Sequence, residues 1–147
     1  MVVLDTAAYL DEVCRMLDEG RENVPVPVRG VSMRPFLRDG DTAFLSPLPE
    51  KVKKGDILLF RRKNGQYVLH RVYKIRKEGG FLLLGDSQTM PEPVLPSQLR
   101  GKVSFVRCGG GDCRPGSLRW RFFAHPWRVL APQRPRIAKL LGLFRKK

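Results

Sequence analysis

"GDILLFRRKNGQYVLHRVYKI", residues 55–75, is the stretch on which the fold turns. Two apolar runs rich in branched and aromatic residues flank Asn64-Gly65, a pair suited to the positive φ angles of a type I′ turn. The segment reads as a β-hairpin. With Asn64 and Gly65 as the two turn residues, Lys63 faces Gln66 and Leu59 faces His70. Alternation on the second strand puts Val68, His70 and Val72 on one face, with Tyr67, Leu69, Arg71 and Tyr73 on the other. One of only two histidines in the chain therefore shares a face with two valines.

Working outward, "KEGG" at 77–80 turns the chain into "FLLLGD" at 81–86, a third strand with Asp86 at its far end. Counting back through a turn of about two to four residues brings Asp86 opposite Arg71, give or take one position. Pairing opposite His70 or Val72 would put its carboxylate on the His70 face. Upstream, the alternating prolines and valines of "VPVPVRG" forbid helix and favour extended backbone. Downstream, "PEPVLP" at 91–96 reads as a stiff loop before the strand "GKVSFV". Residues 24–106 thus form a β body. Ahead of it, residues 5–19 read as an amphipathic helix: Asp5 or Thr6 caps it, Leu10, Val13, Cys14 and Leu17 form its apolar stripe, and Gly20 ends it. At 147 residues the chain fits one mainly β domain, with this helix in residues 1–23 and a basic, aromatic C-terminal appendage or covering helical layer in residues 107–147.

The charge is one-sided. Lys and Arg number 28 against 14 Asp and Glu, a net +14, so an anionic neighbour is expected. After Asp112 no acid remains, yet ten Lys and Arg follow. In "RIAKLLGLFRKK", Ile137, Leu140, Leu141 and Phe144 fall at helical spacing, flanked by Arg136, Lys139, Arg145, Lys146 and Lys147. This is the pattern of an interfacial helix on an anionic membrane, or of a helix packed on the β body with a basic edge. "RWRFFAHPWR" has the composition to contact phosphates and stack on bases, but neither an RNA-binding motif nor a helix-turn-helix pattern accompanies it, and nucleic acid is disfavoured as a partner. No run reaches the roughly 18–20 apolar residues that span a bilayer, and the N-terminus lacks the basic start of an export signal. The expectation is a cytoplasmic protein, peripheral at the inner face of the membrane through its tail. Cys14, Cys108 and Cys113 are too few and too odd in number for a disulfide framework and read as reduced thiols. Cys108 and Cys113 with Cys14 or His125 match no strong metal spacing, so neither a metal nor an organic cofactor is expected. His125 reads as a loop or packing residue.

Chemistry centres on "GVSMRP", residues 30–35. A serine becomes a nucleophile when a base takes its proton and backbone donors hold the resulting oxyanion. Gly30 permits close approach or a positive φ, Pro35 stiffens the chain beyond, and amides at Gly30, Val31 and Met33 are placed to converge on one oxygen. His70 is the candidate base and Asp86 the residue that would fix its tautomer. Against these stand plainer readings: a turn serine, a packed strand histidine and a Gly-Asp turn of the kind assigned at 40–41 and 55–56.

The order of these elements supplies more than any one of them. "GVSMRP", "DGD", "GDILLF", "YVLHRV", "LLGDSQ" and "GKV" follow one another as in the serine peptidase superfamily of signal peptidase I and the LexA-type repressors, which the chain resembles over residues 24–106. It is similar to the archaeal, endoplasmic-reticulum and spore-former branch, which uses histidine where other members use lysine. The resemblance implies the signal-peptidase and LexA-like β fold, Ser32 as nucleophile, His70 as general base and Asp86 as third member. Glu92, at the offset of a second acid in that branch, is the alternative to Asp86. Signal peptidases carry a membrane anchor ahead of the serine box, and LexA-type repressors a DNA-binding domain and a self-cleavage site. Residues 1–29 read as neither an anchor nor such a domain and contain no Ala-Gly or Cys-Gly bond. What the resemblance then implies is cleavage in trans of a peptide or small protein precursor, bound as an added strand with Ala, Gly or Ser next to the scissile bond. The alternative is a catalytically inactive peptidase fold that binds membrane, nucleic acid or peptide.

Overall fold

A computed structural model describes residues 6–141. Helix α1 (Thr6–Asp18) lays Val13, Cys14 and Leu17 into the core, as its apolar stripe requires, and Thr6 is its first described residue. The Asp5 cap lies outside the described residues. Gly20, at φ +87°, ends the helix by donating its N–H to the Leu17 carbonyl.

The body is a single eight-stranded sheet: β1 (Val24–Pro27), β2 (Thr42–Ser46), β3 (Ile57–Arg61), β4 (Tyr67–Ile75), β5 (Phe81–Leu84), β6 (Glu92–Val94), β7 (Leu99–Cys108) and β8 (Gly111–Cys113). The order is β1-β2-β7-β3-β4-β5-β6, with β8 on β7, and every pairing is antiparallel. The fold is mainly β, as expected. Strand β6 falls inside the expected "PEPVLP" loop; Pro93 sits there at the sheet edge, where its missing N–H costs no ladder bond.

The central hairpin differs from the two-residue turn by one position. The Arg62 N–H donates to the Gln66 carbonyl and the Gly65 N–H to the Arg62 carbonyl, both at 2.8 Å, leaving Lys63, Asn64 and Gly65 in the loop. Of these only Gly65 takes a positive φ, +94°, whereas a type I′ turn needs two such residues. His70 consequently pairs with Leu58 and not with Leu59. Its face is untouched, because alternation within β4 does not depend on the partner.

The third strand departs further. An irregularity between Val72 and Lys74 shifts the β4–β5 register, so Arg71 pairs with Leu84 and Asp86 lies two residues beyond the strand end.

Among the described residues three helices, α2 (Leu118–Ala124), α3 (Pro126–Val129) and α4 (Arg134–Leu141), follow the sheet. Trp120, Phe123 and Trp127 bury in the same core as Val13, Leu17, Val26, Met33 and Phe36, so these helices cover the body directly. Ile137 packs against that core, whereas Leu140 faces solvent. Phe144 and the last basic residues lie outside the described residues. Among the described residues no helix is long and apolar enough to cross a membrane.

Candidate active site

Ser32 opens a tight turn between β1 and β2. Gly30 enters it at φ +86°, a conformation that strains any side chain. The Arg34 N–H closes on the Val31 carbonyl and the Leu37 N–H on the Met33 carbonyl. Met33, Phe36 and Leu37, all buried, fasten the turn to the core. Ser32 thereby presents its Oγ 3.1 Å from His70 Nε2. The two residues singled out in the sequence are brought into hydrogen-bond contact across 38 positions.

His70 is only 2% exposed, with the Phe60 ring beside it. Burial pushes its pKa down to about 4; the Glu92 carboxylate opposes this and the Arg62 guanidinium adds to it. The ring is therefore neutral at neutral pH, as a proton acceptor must be. To accept at Nε2 it must carry its own proton on Nδ1, and that atom is buried with no partner among the described residues.

The acid expected at Nδ1 is elsewhere. Asp86 accepts from Arg71 Nε at 2.9 Å and Nη2 at 2.8 Å, while Arg71 Nη1 donates to the Gly55 carbonyl. Arg71 neighbours His70 on β4 and so points to the opposite face, and its cation draws Asp86 to that side. The assignment of Asp86 as orienter of His70 is corrected accordingly. Glu92, the alternative, pairs with Arg62 through both oxygens at 2.8 Å, again without touching His70. The geometry is a Ser-His dyad.

Of the amides expected to hold an oxyanion, Gly30 is committed: its N–H donates to Asp39 Oδ1 at 2.9 Å. Those of Val31, Ser32 and Met33 have no acceptor among the described residues. Sequence reasoning missed Ser87. Its N–H donates to the Ser32 carbonyl at 2.9 Å, and its Oγ lies 3.0 Å from the carbonyls of both Val31 and Ser32. The signal is present in "GDSQ", where the hydroxyl directly follows the acid.

A cleft of about 560 Å³ runs from Ser32 and His70 between Val26 and Val28 on one wall and Tyr67 and Leu69 on the other. Both walls are strand edges. Strand β5 pairs with β4 only from Arg71 onward, so the side of β4 at Tyr67 and Leu69 that faces away from β3 has no strand beside it among the described residues. On the other wall Pro25 and Pro27 direct their nitrogens away from β2, which leaves an edge with carbonyls and no N–H donors. The Tyr9 hydroxyl of α1 already donates to the Pro25 carbonyl at 2.6 Å.

Leu118, Phe122, Val129, Leu130 and Leu140 are exposed on or beside α2 to α4. Cys108 and Cys113 are free thiols, and among the described residues no three His, Cys, Asp or Glu side chains cluster to hold a metal. His125 links α2 to α3.

A family model described as Peptidase S24-like matches residues 2–106. No curated protein and no solved structure matches the chain significantly.

Proposed function

The chain belongs to the Peptidase S24-like family, and on that premise we propose that it is a serine endopeptidase cleaving a peptide or protein precursor in trans. The 3.1 Å contact between Ser32 Oγ and His70 Nε2 carries this reading. Ser32 attacks the scissile carbonyl while His70 takes its proton, and the N–H groups of Ser32 and Met33 hold the oxyanion. His70 then protonates the leaving amine, and water repeats the sequence on the acyl-enzyme. The substrate enters as an extended strand between the edges of β1 and β4, bonded through its backbone and read through alternate side chains. Small residues, Ala, Gly or Ser, flank the bond that is cut.

One observation favours a second reading. The unpartnered Nδ1 of His70 suits an inactive peptidase fold that binds peptide without cutting it. Covalent labelling separates the two: a fluorophosphonate probe is expected to add one mass equivalent to the peptide containing Ser32 and none to Ser32→Ala. Equal labelling of both proteins, or of neither, would remove the catalytic reading.

The proposed partner of the C-terminal face is an anionic membrane surface. Leu118 and Phe122 lie one helical turn apart, and residues 113–147 contain no acid, so exposed apolar and basic side chains occur together there. The protein is expected to sediment with phosphatidylglycerol vesicles and not with phosphatidylcholine vesicles, and to release at high salt. Sedimentation with neither would end this proposal, and a salt-dependent RNA gel shift in its place would assign the face to nucleic acid.

A further inference from the structure

We propose that the loop Gly85–Gln88, which the sequence offers only as a source of acid, is a positioning element that fixes the N–H groups of Ser32 and Met33, with Ser87 as the contact and Trp127 and Arg134 as its anchors. The inference rests on the peptidase reading for its catalytic consequence.

In a trans peptide the carbonyl of one residue and the N–H of the next lie in one plane and point in opposite directions. Whatever fixes a carbonyl therefore fixes the following N–H. The Ser87 N–H, 2.9 Å from the Ser32 carbonyl, sets the plane that ends in the Met33 N–H. The Ser87 hydroxyl, 3.0 Å from the carbonyls of both Val31 and Ser32, can donate to either, and through Val31 it sets the plane that ends in the Ser32 N–H. Both carbonyls face one side chain, so both N–H groups are turned away from it, free of any acceptor among the described residues. Two adjacent amides held in this way form a site for a single developing negative charge.

The loop is built for this approach. A Cβ on Gly85 would lie 2.5 Å from the Ser32 carbonyl oxygen, so only glycine admits the contact. Gln88 Oε1 accepts from the Gly85 N–H at 3.2 Å, closing the loop on itself.

Its supports come from outside the stretch that matches the family. Arg134 is buried and donates to the carbonyls of Gly85 at 2.9 Å and Gln88 at 2.8 Å, one at each end of the loop. It also donates to the Trp127 carbonyl, and Trp127 Nε1 donates to the Asp86 carbonyl at 2.7 Å. A guanidinium buried on carbonyl oxygens is a costly way to stabilise a fold. What it secures here is a loop held at both ends and bonded directly to the serine turn through Ser87. The α2–α4 layer is thereby tied to the serine turn through side chains that donate to backbone carbonyls.

Ser87→Ala and Ser87→Thr test the inference, with Arg134→Met as a second probe of the same loop. In ¹⁵N relaxation, Ser87→Ala, which removes the hydroxyl but keeps the N–H, is expected to broaden the Ser32 amide signal, and to a lesser extent that of Met33, while leaving the His70 ring signals in place. On a peptide that the wild type cleaves, kcat should fall about 10–100-fold with KM little changed. Affinity for a peptide boronic acid, which places an anionic tetrahedral centre at the serine, should fall by a similar factor. Ser87→Thr should restore all three, and Arg134→Met should move them in the direction of Ser87→Ala. Unchanged amides, kcat and boronate affinity in Ser87→Ala would overturn the proposal, as would a loss confined to KM. If the wild type neither cleaves nor binds boronate while Ser87→Ala still broadens the two amides, the peptidase reading falls and the positioning role stands.

Discussion

Replacing His70 with alanine is expected to lower kcat/KM by about 10²–10⁴-fold on any peptide the wild type cleaves, since the base that the described residues bring into contact with Ser32 is then gone. The pH profile of the wild type carries a sharper expectation. In the proposed mechanism neutral imidazole is the active form, and burial brings the His70 pKa from an ordinary 6.5 down to about 4. Activity should therefore rise as pH increases through about 4 and run level across neutral pH. A midpoint near 6.5 would show that the ring is solvated in the working enzyme. The same shift has a stability counterpart: between about 4 and 6.5 the unfolded chain binds more protons at this site than the folded one, so stability should fall as pH drops through that window. Chemical denaturation at pH 7 and pH 4.5, wild type against His70→Ala, isolates that contribution.

Asp86→Ala is expected to cost about 3–5 kcal/mol of stability, because it strands the Arg71 guanidinium in the core without its partner. In a domain of this size that corresponds to a fall in Tm of roughly 10 °C or more. Activity would vanish with the fold, so the single variant alone does not distinguish a scaffold from a catalytic acid. The double variant Arg71→Met with Asp86→Leu does. Replacing both members of a buried pair by apolar groups of similar volume is often neutral or stabilising. If Asp86 only holds the fold, the double variant recovers most of the lost stability and its activity returns with it. A refolded double variant with no activity would restore Asp86 to the catalytic machinery.

The contrast between Ser32–His70 and Asp86 shows which inferences the chain itself supports. The face that His70 occupies follows from alternation inside one strand, so it survives the one-residue slip that moves its partner from Leu59 to Leu58. The position of Asp86 needs a count across a turn and along a second strand, and the irregularity near Tyr73 spoils that count. Arg71, adjacent in sequence to the histidine, also competes for the carboxylate and takes it onto the opposite face. Trp120, Phe123 and Trp127 marked a C-terminal layer, but their sequence spacing does not reveal that Arg134 reaches two loop carbonyls at 85 and 88. Hydrogen bonds from side chains to distant backbone leave no period in a sequence.

The two prolines of β1 bear on whether two copies can join through that edge. An open sheet edge invites a second copy to zip onto it. Here Pro25 and Pro27 leave only acceptors, so two β1 edges brought together would oppose carbonyl to carbonyl and find no ladder. The edge accepts only a visitor that brings its own N–H groups. A guest strand with proline opposite Pro27 would be refused for the same reason that a second copy is. Discrimination against self and against one class of substrate would then follow from one missing hydrogen per proline.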